Sequence, residues 1–300
     1  MKKARLVVCL MITLFLVPIT LFARDISPIV STDWLEQNLS NPKLKIVDIR
    51  KLEEYKDGHI PGAVSAFYGI WAVKKNDLLN ELPLNDEIAD LVSSLGINND
   101  SLVVVVGKTD NTGELVNITR VAWTLKYAGI ENVAILDGAY NKWLNDKKAM
   151  SEDVVKPAAS DYKAKWNNKI LATRDYLMKM PKQSVIIDVR MPEFFFGVAK
   201  LDFVKKAGHI KGAKNLPAAW IFTKDGTFKS KEELGEMASG VVGKNMSKEV
   251  IVYCDTGKFS TAWWYILSEV LGYKNVKSYD GSTEEWTRDP QAPVVKYIWQ

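Results

Sequence analysis

The sequence predicts an α/β protein of two tandem domains, each a mostly parallel sheet flanked by helices on both faces. Three observations carry that expectation. The chain has 300 residues, more than one hydrophobic core usually spans, which points to two domains. Short, apolar, β-branched runs alternate with helical patterns along its length. One set of landmarks also occurs twice in the same order.

The landmarks fix the repeat. Ile46-Val47-Asp48-Ile49-Arg50 is matched by Ile186-Ile187-Asp188-Val189-Arg190, and Gly58-His59-Ile60-Pro61-Gly62-Ala63 by Gly208-His209-Ile210-Lys211-Gly212-Ala213. The run Val103–Val106 corresponds to Val250–Tyr253, and Gly129-Ile130-Glu131-Asn132-Val133 to Gly272-Tyr273-Lys274-Asn275-Val276. Asp137-Gly138 with Trp143 corresponds to Asp280-Gly281 with Trp286 at the same spacing.

Residues 1–23 read as an export segment. Lys2-Lys3-Ala4-Arg5 is followed by the apolar run Leu6–Phe22, with Pro18 near its end and the small Ala23 after it. That is the layout of a secretory signal cut after Ala23. An uncleaved N-terminal anchor is the competing reading, because the run is at the lower edge of a spanning helix. Either reading places the protein outside the cytoplasm, in the periplasm or another extracytoplasmic space, and a membrane contact is expected only if the segment is retained.

Residues 24–146 form the first domain. Leu44–Ile49 and Leu102–Val106 read as strands buried on both faces. Leu115, Ile118, Ala122 and Leu125 share one helical face, and Gly129 follows as the stop. Residues 147–165 are the linker; Lys147–Ser160 is polar, contains Pro157 and lacks apolar periodicity. Residues 166–300 form the second domain, with strands over Val185–Val189 and Val250–Tyr253 and a helix from about Ser260 to Leu271. Trp263, Trp264 and Tyr265 on that helix are expected to cover the sheet.

The chain's apparent basicity and its two cysteines both change once the export segment is set aside. The formal charge of +4 includes Lys2, Lys3 and Arg5, and without them 37 cations face 36 anions. No nucleic-acid partner is expected from such a balance. Cys9 lies in the export segment, which leaves Cys254 as the single thiol of the rest of the chain. A hydrophobic content of 47% excludes wholesale disorder.

The two copies differ most where the strand Val250–Tyr253 ends. Ligands of an open α/β sheet collect at the carboxyl ends of strands. Here the chain continues as Cys254-Asp255-Thr256-Gly257-Lys258-Phe259-Ser260 into a helix, whereas the first copy has Gly107 and a longer loop, Lys108–Gly113. Converging backbone N–H groups and the nearby Lys258 favour a thiolate, and an inward Asp255 opposes it. The competing reading of Cys254 is a small buried hydrophobe.

Asp188-x-Arg190, the Gly208–Ala213 motif, the Cys254 loop and Asp280-Gly281 with Trp286 together resemble a rhodanese domain, and the first copy resembles a second one without its cysteine. The resemblance covers Thr32–Asp146 and Ala172–Asp289. It is the arrangement of tandem thiosulfate and 3-mercaptopyruvate sulfurtransferases, with an inactive N-terminal and an active C-terminal domain. It implies transfer of a sulfane sulfur from a small donor to a thiol, cyanide or protein acceptor through a Cys254 persulfide. Asp255 to Ser260 would form the loop that holds the persulfide, and Arg190 would bind the anionic donor. Arg190 is equally readable as a partner of Asp188, since Arg50 keeps the motif in the copy without a cysteine. A sulfur or selenium carrier, or a redox-responsive binding protein, is the alternative that uses the same thiol.

Asp255 and Thr256 stand where thiosulfate-type loops carry cations, and Phe259 where many single-domain rhodaneses have arginine. A loop with one cation and one anion suits a dianion poorly, so weak thiosulfate activity is expected. A cysteine phosphatase is set aside because Ser260, not arginine, is the sixth residue after Cys254. A Cys–His hydrolase is set aside because His59 and His209 occupy matched places in both copies. Two histidines in different domains and one cysteine make no metal cluster, and no cofactor is expected. Finally, the Asp-x-Arg to Gly-His-Ile spacing is ten residues longer in the second copy. The stretch Glu193–Phe203, with Phe194, Phe195, Phe196 and Phe203, reads as core packing or a hairpin, or as an apolar rim around the Cys254 pocket.

Overall fold

The computed structural model describes residues 24–299. The predicted export segment and Cys9 lie outside the described residues. The N-terminal half has strands β1 (Ile29–Val30), β2 (Leu44–Asp48), β3 (Ala63–Ser65), β4 (Val73–Lys75), β5 (Leu78–Glu81), β6 (Leu102–Val106) and β7 (Val133–Leu136). Its helices are α1 (Thr32–Asn38), α2 (Leu52–Lys56), α3 (Asn85–Ser94), α4 (Thr112–Tyr127) and α5 (Ala139–Asn145). The C-terminal half has β8 (Leu171–Ala172), β9 (Val185–Asp188), β10 (His209–Ile210), β11 (Lys214–Asn215), β12 (Glu249–Tyr253), β13 (Asn275–Tyr279) and β14 (Val294–Val295). Its helices are α6 (Arg174–Lys179), α7 (Pro192–Phe196), α8 (Lys231–Val241), α9 (Ser260–Tyr265) and α10 (Ser282–Trp286).

The repeat read from the sequence is a repeat in space. The first sheet runs β1-β7-β6-β2-β3 and the second β8-β13-β12-β9-β11, the same order, five strands each. Every pairing within both is parallel. β6 and β12 lie at the centre, and Val103–Val106 and Val250–Tyr253 are buried on both faces, which is why their sequences are continuous apolar runs rather than alternating ones. The helix expected over Ser260–Leu271 changes character partway: α9 is α-helical, and Ile266–Val270 continues it as a π-helical turn.

The halves share one apolar core. α4 packs against α9, and a single buried cluster runs from Val47 and Val105 through Trp123 to Trp263, Trp264 and Val252. Trp263 and Trp264 donate their indole N–H groups to the carbonyls of Pro217 and Val276, both at 3.0 Å. Two aspartates reach across the junction in pseudo-symmetric fashion. Asp137 accepts from the backbone N–H of Phe228 at 2.8 Å, and its counterpart Asp280 accepts from that of Leu82 at 2.9 Å. Lys147–Ser160 lies along the N-terminal half, where Ser151 pairs with His59 and Ser160 donates to the Ile97 carbonyl at 2.6 Å.

Both histidines are structural. His59 stacks on Tyr55 with ring centroids 3.8 Å apart, and His209 on Phe195 at 3.7 Å. Each Nδ1 lies 2.8 Å from the carbonyl oxygen of its stacking partner. That equivalence corrects the placement of the extra residues. Tyr55 precedes His59 by 4 positions and Phe195 precedes His209 by 14, so the insertion follows α7 and occupies residues 198–207. Phe194, Phe195 and Phe196 belong to the framework shared by the two copies, as the counterpart of α2, and only Phe203 lies in the inserted turn region. Phe195 is fully buried, and Phe196 stacks on Trp299 at 4.8 Å.

Candidate active site

Cys254 sits where β12 ends and is 1% exposed. The loop that follows curls around its sulfur. The backbone N–H groups of Thr256 and Ser260 are directed at Sγ and favour its ionised form, as does the Ser282 hydroxyl, whose Oγ lies 3.8 Å from Sγ and 2.8 Å from the Tyr279 carbonyl oxygen. Burial, and then the charge of Asp255, act the other way and leave the thiol pKa above its ordinary value. Gly257 makes the turn possible. Its φ is +75°, and a Cβ there would lie 2.2 Å from the carbonyl oxygen of Asp280.

Each predicted loop residue has a definite place. Asp255 Oδ1 accepts from Thr283 Oγ1 at 3.0 Å and from Arg190 Nη1 at 3.3 Å. Thr256 Oγ1 accepts from the Asn80 side chain at 2.9 Å. Lys258 places Nζ 5.2 Å from the Tyr68 ring centre and 5.9 Å from that of Phe259. Burial lowers its pKa, while Glu114 and the Cys254 thiolate raise it. Ser260 Oγ donates to the Gly257 carbonyl at 2.9 Å and lies 2.7 Å from Ser278 Oγ.

Of the two roles open to Arg190, the structure shows the pairing with Asp188. Nε lies 2.9 Å from Asp188 Oδ1, and Nη2 lies 2.6 Å from Asp188 Oδ2 and 2.7 Å from the Gly208 carbonyl. Arg50 makes the same contacts with Asp48 and the Gly58 carbonyl. In the second copy, the remaining nitrogen, Nη1, turns to Asp255. Arg190 therefore touches the acid next to the cysteine and also lines the cavity beside the loop.

Four contributors to the site were not anticipated from the sequence. Ser282 Oγ accepts from the N–H groups of Cys254 and Gly257 at 3.1 and 3.0 Å and so ties both ends of the turn. Its φ is +49°, a left-handed conformation uncommon for serine. The matched position, Ala139, has φ +51° and no hydroxyl, a difference beside the Asp-Gly landmark that would have flagged it. The other three come from the cysteine-free half. Arg120, fully buried in α4, donates to the Gly257 carbonyl at 3.1 Å, to Asp280, and to the Asn80 carbonyl at 2.6 Å. Asn80, on β5, in turn accepts from Tyr68 at 3.1 Å. An arginine inside an apolar helix is the signal that marked Arg120.

The equivalent niche in the first half is closed. A Cβ on Gly107 would fall 2.7 Å from Ile118 Cγ1. Beside the Cys254 loop, by contrast, lies a cavity of about 270 Å³ lined by Arg190, Met191, Phe194, Leu201, Asp255 and Phe259, with Thr112 from the other half. Of the α7 phenylalanines it is Phe194, not Phe195 or Phe196, that lines this cavity.

The family model described as Rhodanese-like domain matches the chain twice, over residues 31–146 and 173–289. Over 283 residues the chain is 32% identical to the sulfur carrier protein TtuD of Thermus thermophilus, covering 89% of this chain and 96% of that one. It is 36% identical over 280 residues to a Mycolicibacterium smegmatis protein named "Putative thiosulfate sulfurtransferase", with the same coverage of 89% and 96%. Among solved structures, the 3-mercaptopyruvate sulfotransferase SseA of Escherichia coli superimposes with a TM-score of 0.73 at 27% identity, covering 86% of this chain and 99% of that one. With a family match on both halves, the chain belongs to the rhodanese-like family, as a tandem-domain sulfurtransferase of the rhodanese type.

Proposed function

We propose that Cys254 is the sulfur-carrying nucleophile, and that it takes a sulfane sulfur from a small donor and passes it to a thiol acceptor. The observation that carries this reading is the one free thiol among the described residues, held at a strand end inside a ring of three donors. The thiolate attacks the outer sulfur of a donor persulfide; the donor's S–S bond breaks and its electron pair leaves on the donor thiolate. An acceptor thiolate then attacks the outer sulfur of the Cys254 persulfide and releases Cys254 as thiolate. The Thr256 and Ser260 N–H groups hold the charge at each stage. Arg190 supports the site by holding Asp255, and Asp255 to Ser260 shape the loop. Thiosulfate, a dianion, is a poor donor in this reading because Asp255 lines the cavity beside the thiol and the Arg190 guanidinium there is already paired with Asp188 and Asp255.

A carrier that holds the sulfur without fast turnover is the second reading, supported by the buried thiol with its raised pKa. A donor panel read as intact mass tests both. One added sulfur on wild type and none on Cys254→Ser is expected, and sulfur on the serine variant would end the proposal. Turnover with a thiol acceptor then separates enzyme from carrier. We further infer export to an extracytoplasmic space from the N-terminal Lys-Lys-Ala-Arg start and apolar run, to be checked by fractionation and by sequencing the mature N-terminus.

A further inference from the structure

The cavity beside the Cys254 loop has a chemical character of its own. Its volume is about 270 Å³, against roughly 150 Å³ for an engineered apolar cavity that admits benzene. Met191, Phe194, Leu201 and Phe259 make its wall almost wholly apolar. Its charges are those of Arg190 and Asp255, and they are not equivalent. Arg190 is 4% exposed and its Nε and Nη2 are committed to Asp188 and the Gly208 carbonyl. Asp255 keeps an oxygen in hand: the Thr283 and Arg190 bonds both fall on Oδ1, and its side chain is 19% exposed. The other cation of the loop, Lys258, is not part of this wall and lies over the rings of Tyr68 and Phe259. With Asp188 counted, two carboxylates here face one guanidinium.

We propose that this cavity binds the body of an aminothiol substrate, an apolar skeleton ending in an ammonium group that donates to Asp255 Oδ2. The inference rests on the persulfide reading of Cys254 and names the acceptor class for it. The acceptor's skeleton fills the apolar wall while its thiolate attacks the outer sulfur of the Cys254 persulfide. A new S–S bond forms, the Sγ–S bond breaks with its electron pair returning to Sγ, and the proton stays on the transferred sulfur. A carboxylate-bearing acceptor of the same shape meets Asp255 as a like charge in a poorly solvated place and is refused.

Two measurements test this, one of them independent of sulfur chemistry. Calorimetric binding of 4-methylbenzylamine and 4-methylbenzoate, which carry no thiol, probes the cavity alone. The amine is expected to bind wild type at least about tenfold more tightly than the carboxylate, and Asp255→Asn to remove that preference. Equal binding of the two, or a preference that survives Asp255→Asn, overturns the proposal. Transfer from the loaded protein to 4-(aminomethyl)benzyl thiol, benzyl thiol and 4-(mercaptomethyl)benzoate is expected to fall in that order in kcat/KM. Faster transfer to the benzoate overturns the cavity as the acceptor site. Failure of Cys254 to acquire sulfur at all sinks the persulfide reading instead, and the binding measurement still decides the cavity.

Discussion

The guanidinium of Arg120, in the half that has no cysteine, donates to the carbonyl of Gly257, three residues beyond the thiol in the other half. The same group is paired with Asp280, which also receives the Leu82 N–H from the β4–β5 hairpin. The turn around Cys254 is therefore closed by side chains from both halves, and the copy without the Cys254 loop is part of that loop's geometry.

Removing that clasp is expected to be costly. Arg120→Met leaves Asp280 buried without its partner, a situation worth about 3–5 kcal/mol. Urea denaturation is expected to show that loss, and single-turnover sulfur loading to slow. The double variant Arg120→Met/Asp280→Asn is expected to recover much of the stability but not the loading rate. Full recovery of the rate would show that Arg120 acts on stability alone.

Ser282→Ala is expected to act on the thiol without breaking the fold. It deprives the Cys254 and Gly257 N–H groups of their acceptor, at about 1–3 kcal/mol for a buried orphaned donor. It also removes a donor to Sγ. Following the thiolate by its ultraviolet absorbance is expected to show a thiol pKa higher than in wild type.

The pH profile has a definite sign. Burial and then Asp255 raise the Cys254 pKa, so the reactive thiolate is scarce at neutral pH. Loading is expected to rise with pH through and beyond the ordinary thiol value of about 8.5. Asp255→Asn removes an anion, favours the thiolate, and is expected to move the profile to lower pH. A shift to higher pH would mean that Asp255 acts chiefly by holding Arg190.

Two of the three phenylalanines of α7 are expected to separate cleanly. Phe195→Ser opens the buried stack on His209 and costs about 3–5 kcal/mol, on the scale of Phe→Ala in a core. Phe194→Ser changes the cavity wall and is expected to alter acceptor KM with little change in melting temperature.

Building a cysteine into the matched place of the first copy is expected to fail. Gly107→Cys meets Ile118 at once, so the variant is expected to lose stability and still to acquire only the sulfur carried by Cys254, as intact mass will report.

Much of this was legible because the fold is written in local patterns. The runs Val103–Val106 and Val250–Tyr253 announced central strands, and their repetition announced the architecture. Cys254 stood out because the copies diverge there. Ser282 was harder to see, since its importance depends on a left-handed backbone that the chain adopts in both halves but fills with a hydroxyl in one. Arg120 stood out only as an arginine inside an apolar helix, and its partners, like the roles of Asn80 and Tyr68, were out of reach, because these residues meet the loop from distant positions through the packing of α4 on α9 and the docking of a hairpin. The roles open to Arg190 narrowed only when its cage of acceptors became visible.

The common core that joins Trp123 to Trp263 and Trp264 has a consequence for inheritance. After such a duplication the two copies no longer have separate fates. The Cys254 half expressed alone would present the wall that α4 now covers, so it would be an incomplete and sticky protein. The copy with Gly107 at the matched place is tied to the other as a permanent companion, by packing rather than by a thiol of its own.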